Sequence, residues 1–197
     1  MTDRPYHHGN LRTALLEQAA RTVREHGADE LSLRELARQV GVSHSAPRRH
    51  FADLQALRAA LAEAGFARLG AELSNAVDAA GPDFAGRLQA TASAYIRFAT
   101  DEAALLELMF ASKHHEQSAK TQETAERAFA VILELIREGQ AAGILDQGDP
   151  ERVGKLLFAT VQGIAALVTS GMVEATQVDE LLSDATAMFL RAAPIAS

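Results

Sequence analysis

The sequence predicts an all-α fold of about nine helices, and three observations carry that expectation. Apolar residues recur at three-to-four spacing through most of the 197 positions. Gly, Pro, Ser and Asp interrupt the spacing where helices would start and stop. No stretch holds the alternating apolar and polar order of a half-buried strand.

Leu11, Leu15, Ala19 and Val23 stripe a first helix over about 10–26, with Gly27 as its stop. Ser32 opens the second: its hydroxyl can cap the free amides of the first turn while Glu35 reaches back to the Ser32 amide. Leu33, Leu36, Ala37 and Val40 then form one apolar face. Gly41 suits the left-handed backbone that ends a helix cheaply, and Ser43 or Ser45 can cap a third helix over about 44–51. Pro47 falls near the first turn of that helix, where a missing amide costs little. It also biases Ala46 away from helical angles, so a late or distorted start is expected.

After Asp53, a plausible cap, an Ala- and Leu-rich run extends to about 77. Gly81-Pro82 closes it and opens a helix over about 83–100. A short apolar helix at 103–112 and a polar loop at 113–123 lead into a long pattern over about 121–142. Gly143 and the GDP at 148–150 separate that pattern from a helix starting at Glu151, and the last helix runs over about 178–192.

Two short helices joined at Gly41-Val42, the second dense in Arg and His, have the layout of a helix-turn-helix, which points to DNA. Phe51 is the natural apolar plug against the first helix of the pair, leaving His44, Ser45, Arg48, Arg49 and His50 to face outward. Helix N-terminal amides and Arg side chains bind phosphate, and Arg in a major groove makes two hydrogen bonds to guanine. The plainer reading of Arg48, Arg49 and His50 is a solvated basic face.

Charge is distributed in the same sense. The chain carries a net −7, yet residues 1–58 hold nine Arg against seven acidic residues and five of the seven His. The remainder holds ten basic against nineteen acidic residues. A small basic head on an acidic body is the expected footprint of a DNA reader that avoids nonspecific coating of DNA.

Zero Cys excludes a disulfide framework, a thiol nucleophile and Cys-ligated zinc, and suits a reducing compartment. MTDRPYHHGN opens no apolar run, so no signal peptide is expected and the cytoplasm is the expected location. There is no phosphate-cradling Gly loop and no HExxH, so neither an enzyme nor a cofactor is expected. His114-His115-Glu116 lacks the i, i+4 spacing of a helical zinc site, and His7-His8 reads as a polar segment before the first helix.

Residues 8–57 resemble the N-terminal domain of TetR-family transcriptional regulators. The resemblance rests on the Leu-rich first helix, SLRELARQVGVS at 32–43 and RHF at 49–51. HHGNLR at 7–12 with HSAPRRHF at 44–51 is similar to a subgroup named for a C-terminal Trp-His-Gly motif. The resemblance implies a homodimer that reads a roughly palindromic operator with residues 1–53 and binds a small-molecule effector within residues 54–197. Carried across, Arg34, His44, Ser45, Ala46 and Arg48 would face bases, with Ser32, Arg49 and His50 near phosphates. Arg4 and Arg12 would reach the backbone or the minor groove.

Three departures bear on that implication. Arg48 stands where the family commonly has Tyr, exchanging a stacking hydroxyl for a two-pronged cation, so the operator is not borrowed from relatives. Leu54 stands where it commonly has Lys, which removes one phosphate contact per subunit. FATVQG at 158–163 aligns with the Trp-His-Gly pattern, but Phe158 and Gln162 replace its Trp and His while Gly163 remains.

The strip at 156–168, apolar nearly all round, is too short and too interrupted for a membrane span. With Leu181, Leu182, Met188, Phe189 and Leu190 of the final helix it reads as half of a four-helix dimer interface, an ordinary core helix being the alternative. Tyr95, Phe98, Met109, Phe110, Phe129 and Phe158 could line an apolar effector pocket, with Gln162 and Tyr95 as its polar members, or could simply be core. A rival to the DNA reader is an all-α dimeric ligand-binding or protein-interaction module with a weakened head, favoured by Pro47 and Leu54.

Overall fold

The computed structural model describes residues 11–111, 119–145 and 147–191, and among them every regular element is a helix. Eight α-helices follow in order: α1 Leu11–His26, α2 Leu33–Val40, α3 Leu54–Ala79, α4 Phe84–Asp101, α5 Ala103–Ala111, α6 Ala119–Ala141, α7 Pro150–Thr169 and α8 Val178–Arg191. Three 3-10 turns, Ala28–Glu30, Pro47–Arg49 and Ala175–Gln177, complete them. The all-α class stands as expected. The helix expected over 44–51 is replaced by a 3-10 turn, so the α-helix count among the described residues is eight.

Caps account for the boundaries. Asp53 accepts from the Ala56 amide at 2.8 Å, Asp83 from Gly86 at 2.7 Å and Asp149 from Glu151 at 3.0 Å, each satisfying an amide with no partner inside its helix. Ser32 accepts from the Glu35 amide at 3.5 Å, but the return half of the expected capping box is not made. The Glu35 carboxylate is taken instead by Arg38 Nε at 2.9 Å and by Gln39. At the other end of α2, Gly41 takes φ +78°, with Gly41 N–H donating to Arg38 and Val42 N–H to Ala37. That pair of bonds around a left-handed Gly is a Schellman stop.

Contacts divide the described residues into two compact units. The first comprises the described parts of Met1–Gly65 and Ala104–Gln122. There α1 packs on α2, and α2 on the Pro47–Arg49 turn, burying Leu15, Ala19, Val23, Leu36, Ala37, Phe51 and Leu57. Arg58 at the start of α3 donates to the Ala28 carbonyl at 3.0 Å, tying α3 to the turn after α1. This unit takes in the first part of α3, through Gly65, and the described residues of Ala104–Gln122.

The second unit comprises Phe66–Ala103 and the described residues from Glu123 on. In it α4 packs against α7 and α8, and α7 against α8. Phe84, Leu88, Leu135, Ile136, Leu145 and Leu157 form its buried core cluster.

Candidate nucleic-acid interface and effector cavity

In the head, Pro47 decides the local backbone. Lacking an N–H, it cannot donate to the Ser43 carbonyl, and the chain turns by three-residue bonds, Ala46 to Ser43 at 3.0 Å, Arg49 to Ala46 at 3.2 Å and His50 to Pro47 at 2.9 Å, with a single four-residue bond at its end, Phe51 to Pro47 at 2.9 Å. Ala46 takes helical angles, φ −61° and ψ −43°, against the expected bias of a residue before Pro. Ser43 and Ser45 cap nothing; their hydroxyls lie 3.4 Å from one another.

This short turn still sorts its side chains into two faces. Pro47 and Phe51 are buried, Ala46 is half-buried, and His44, Ser45, Arg48, Arg49 and His50 are exposed. Ser32 and Arg34 are exposed at the start of α2. Arg12 on α1 is also exposed, and its guanidinium lies over the Phe51 ring, 5.2 Å from the centroid. Among the described residues none forms an ion pair with Arg34, Arg48 or Arg49. Their charge is thus uncompensated within the described head, the condition for drawing phosphates or guanine edges. Arg4, His7, His8, His114, His115 and Glu116 lie outside the described residues.

A second candidate site is a cavity of about 50 Å³ in the body. Leu88, Thr91 and Tyr95 of α4, Ile132 of α6, Phe158 and Val161 of α7, and Leu182, Thr186 and Phe189 of α8 are among its walls. The Tyr95 hydroxyl donates to Gln162 Oε1 at 2.6 Å, and burial pushes the Tyr95 phenol well above its ordinary value. Tyr95 packs edge-to-face on Phe158 at 5.5 Å, Phe158 on Phe129 at 5.4 Å, and Phe129 on Phe66 of α3 at 6.4 Å.

Of the seven residues singled out in sequence for an effector, Tyr95 and Phe158 line this cavity, and Gln162 and Phe129 stand directly behind them. Phe98 is buried elsewhere, beneath the Arg68 guanidinium at 4.7 Å. Met109 and Phe110 lie on α5 in the first unit. Sequence reasoning missed Thr91 and Thr186. A Thr set within an otherwise apolar helical face was the available signal.

On α7, Leu156 and Leu167 are 53% and 38% exposed, and Ala159, Gly163 and Ala166 are exposed or half-buried on the same helix. No described atom lies within 4 Å of where a Gly163 Cβ would stand. The helix is long and apolar enough to cross a membrane, with mean hydropathy 1.3, yet only 17% of that stretch is buried.

Two family patterns match the chain. The family pattern described as "Bacterial regulatory proteins, tetR family" matches residues 15–61, and "Tetracyclin repressor-like, C-terminal domain" matches residues 88–189. No curated protein matches the chain. Among solved structures, a protein with unknown function from Rhodococcus sp. RHA1 is 43% identical, with a TM-score of 0.88 over 96% of this chain and 98% of that one. The TetR family transcriptional regulator PfmR from Thermus thermophilus has the same fold at 19% identity, with a TM-score of 0.68 over 92% of this chain and 99% of its own. The fatty acid degradation regulator FadR from Bacillus halodurans does so at 15% identity, with a TM-score of 0.73 over 96% and 97%. With one pattern on the helix-turn-helix and the other over more than half of the chain, this protein belongs to the tetR family of bacterial regulatory proteins.

Proposed function

We propose that the protein is a ligand-responsive transcriptional regulator in the cytoplasm, a repressor by default, that binds a palindromic operator as a homodimer and is released by a small molecule. Residues 1–53 read DNA; residues 54–197 bind the effector and dimerise. The observation that carries this reading is the basic face of the 44–50 segment, exposed and without described ion pairs above a buried Phe51. Arg34, His44, Ser45, Ala46 and Arg48 face bases; Ser32, Arg49, His50 and Arg12 serve the backbone.

Dimerisation uses α7 and α8. The apolar stripe Leu156, Ala159, Gly163, Ala166 and Leu167 follows helical spacing and has no cover among the described residues, which suits a face that meets a second copy. Two heads on such a dimer engage successive major grooves ~34 Å apart. An effector that favours one spacing of the heads shifts DNA affinity by its differential affinity for the two states. The aromatic series from Tyr95 to Phe66 offers a route from cavity to α3, the helix that continues into the head. Assignment to the Trp-His-Gly subgroup belongs to the same reading and rests on the N-terminal pattern and Gly163.

The test is Arg48→Ala combined with Arg49→Ala. Specific binding to a fragment from upstream of the protein's own gene should be lost, with helicity and dimerisation intact. Two lost base or phosphate contacts per subunit should cost at least tenfold, at about 1–3 kcal/mol for each good contact. Unchanged affinity would overturn the assignment. It would favour a dimeric module with a weakened head, the reading that the Pro47 turn supports.

A further inference from the structure

We propose that the effector is a compact, electrically neutral, apolar molecule bearing a single hydrogen-bonding group, an alcohol or a ketone, which Thr186 receives. This inference rests on the regulator reading above and narrows it to a chemical class. Among the described residues every wall side chain is uncharged, so neither a carboxylate nor an ammonium would find a counter-ion there. Burying an unpaired charge in such a wall is strongly unfavourable.

The wall's polar groups are also mostly committed. The Thr91 hydroxyl donates to the Arg87 carbonyl at 2.7 Å, Thr160 to the Leu156 carbonyl at 3.0 Å, and Tyr95 to Gln162. Thr186, only 8% exposed, is the exception: no described residue hydrogen-bonds its hydroxyl. One free hydroxyl in an apolar wall selects for one polar group on the ligand.

Size adds a second constraint. The cavity is about 50 Å³, whereas a dry apolar cavity that holds a benzene ring measures roughly 150 Å³. The cavity is partly open, so a ring-sized ligand is wholly enclosed only as the wall yields. Its affinity is then greater for the expanded state, which gives it leverage over a conformational equilibrium.

The experiment titrates the full-length protein calorimetrically with four probes on one ring: toluene, benzyl alcohol, benzoate and benzylammonium. Benzyl alcohol should bind tightest, and the two ions at least about a hundredfold more weakly. Thr186→Val should weaken benzyl alcohol about fivefold to tenfold and leave toluene unchanged. Ala185→Leu, which fills the cavity from α8, should abolish both, with its apo melting temperature and helicity checked to confirm folding. Either ion within tenfold of benzyl alcohol, an unaltered benzyl alcohol affinity in Thr186→Val, or no binding of the neutral probes would overturn the proposal.

A parallel DNA-release assay separates this from the regulator reading. Neutral probes that bind without altering DNA affinity leave the ligand class standing and sink the switch. Release by benzoate or benzylammonium does the reverse.

Discussion

Arg87 on α4 and Glu138 on α6 show how a single pair sets a pH dependence. Arg87 Nη1 donates to Glu138 Oε2 at 2.8 Å, and Nη2 bonds the other carboxylate oxygen, the fork geometry in which a guanidinium binds most strongly. The hydrogen bond from Arg87, aided by its charge, holds the Glu138 carboxyl below its ordinary value of 4.5, partly opposed by desolvation. A carboxyl depressed in the folded state contributes stability above its unfolded pKa. That contribution is lost as pH falls through the lower folded value. Glu138→Gln should therefore melt below the wild type at neutral pH, and the gap should close as pH drops below 4.5. Melting curves across that range decide it, since a gap that persists into acid would mean packing rather than charge links α4 to α6. Half of Glu138 is exposed, so the neutral-pH gap should be small.

At the scale of elements, what the sequence made legible were the features governed by local rules. The ends expected for the α-helices fall within a few residues of those observed, the C-terminus of α7 being the one for which none was expected, because Gly27, Gly41, Asp53 and Asp83 act through their own backbone or first-turn amides. The 44–51 segment departed because Pro47 removed the amide that would have closed its first α-turn. The Ser32 box stayed half-made because Arg38 and Gln39 offered Glu35 stronger partners one turn on. For the cavity, residue type alone could not separate wall from core: Tyr95 and Phe98 lie a turn apart on α4 and both are buried, yet only Tyr95 reaches it. Gly41 offers a test of the local rule. At φ +78° an added Cβ is strained whatever the surrounding space, so Gly41→Ala should cost about 1 kcal/mol or more, read by denaturant unfolding. A change within a few tenths would show that the turn relaxes freely and that the Schellman stop does not set the α2 boundary.

The molecule as a whole has to account for an apolar helix, α7, that the described residues leave largely uncovered. Leu156 and Leu167 are already partly buried, so covering them against a second copy would bring roughly half of the 1.5–3 kcal/mol of a full burial for each, and four such side chains meet in a symmetric dimer. That is enough to make the folded state depend on concentration, so the wild-type melting temperature should rise as the protein is concentrated. Replacing Leu156 and Leu167 together with Glu places like charges at the contact and should yield a folded monomer in sedimentation, with a melting temperature that no longer responds to concentration. The head is untouched by these changes, so each monomer should keep its contacts with one half-site. Affinity for a full palindrome should nonetheless fall by orders of magnitude, because the second half-site is no longer delivered at the high effective concentration that a dimer provides. If the double variant stays dimeric, the contact lies elsewhere on the body. If it becomes monomeric yet binds the palindrome as tightly as before, the two heads do not act together, and the spacing mechanism for effector release loses its basis.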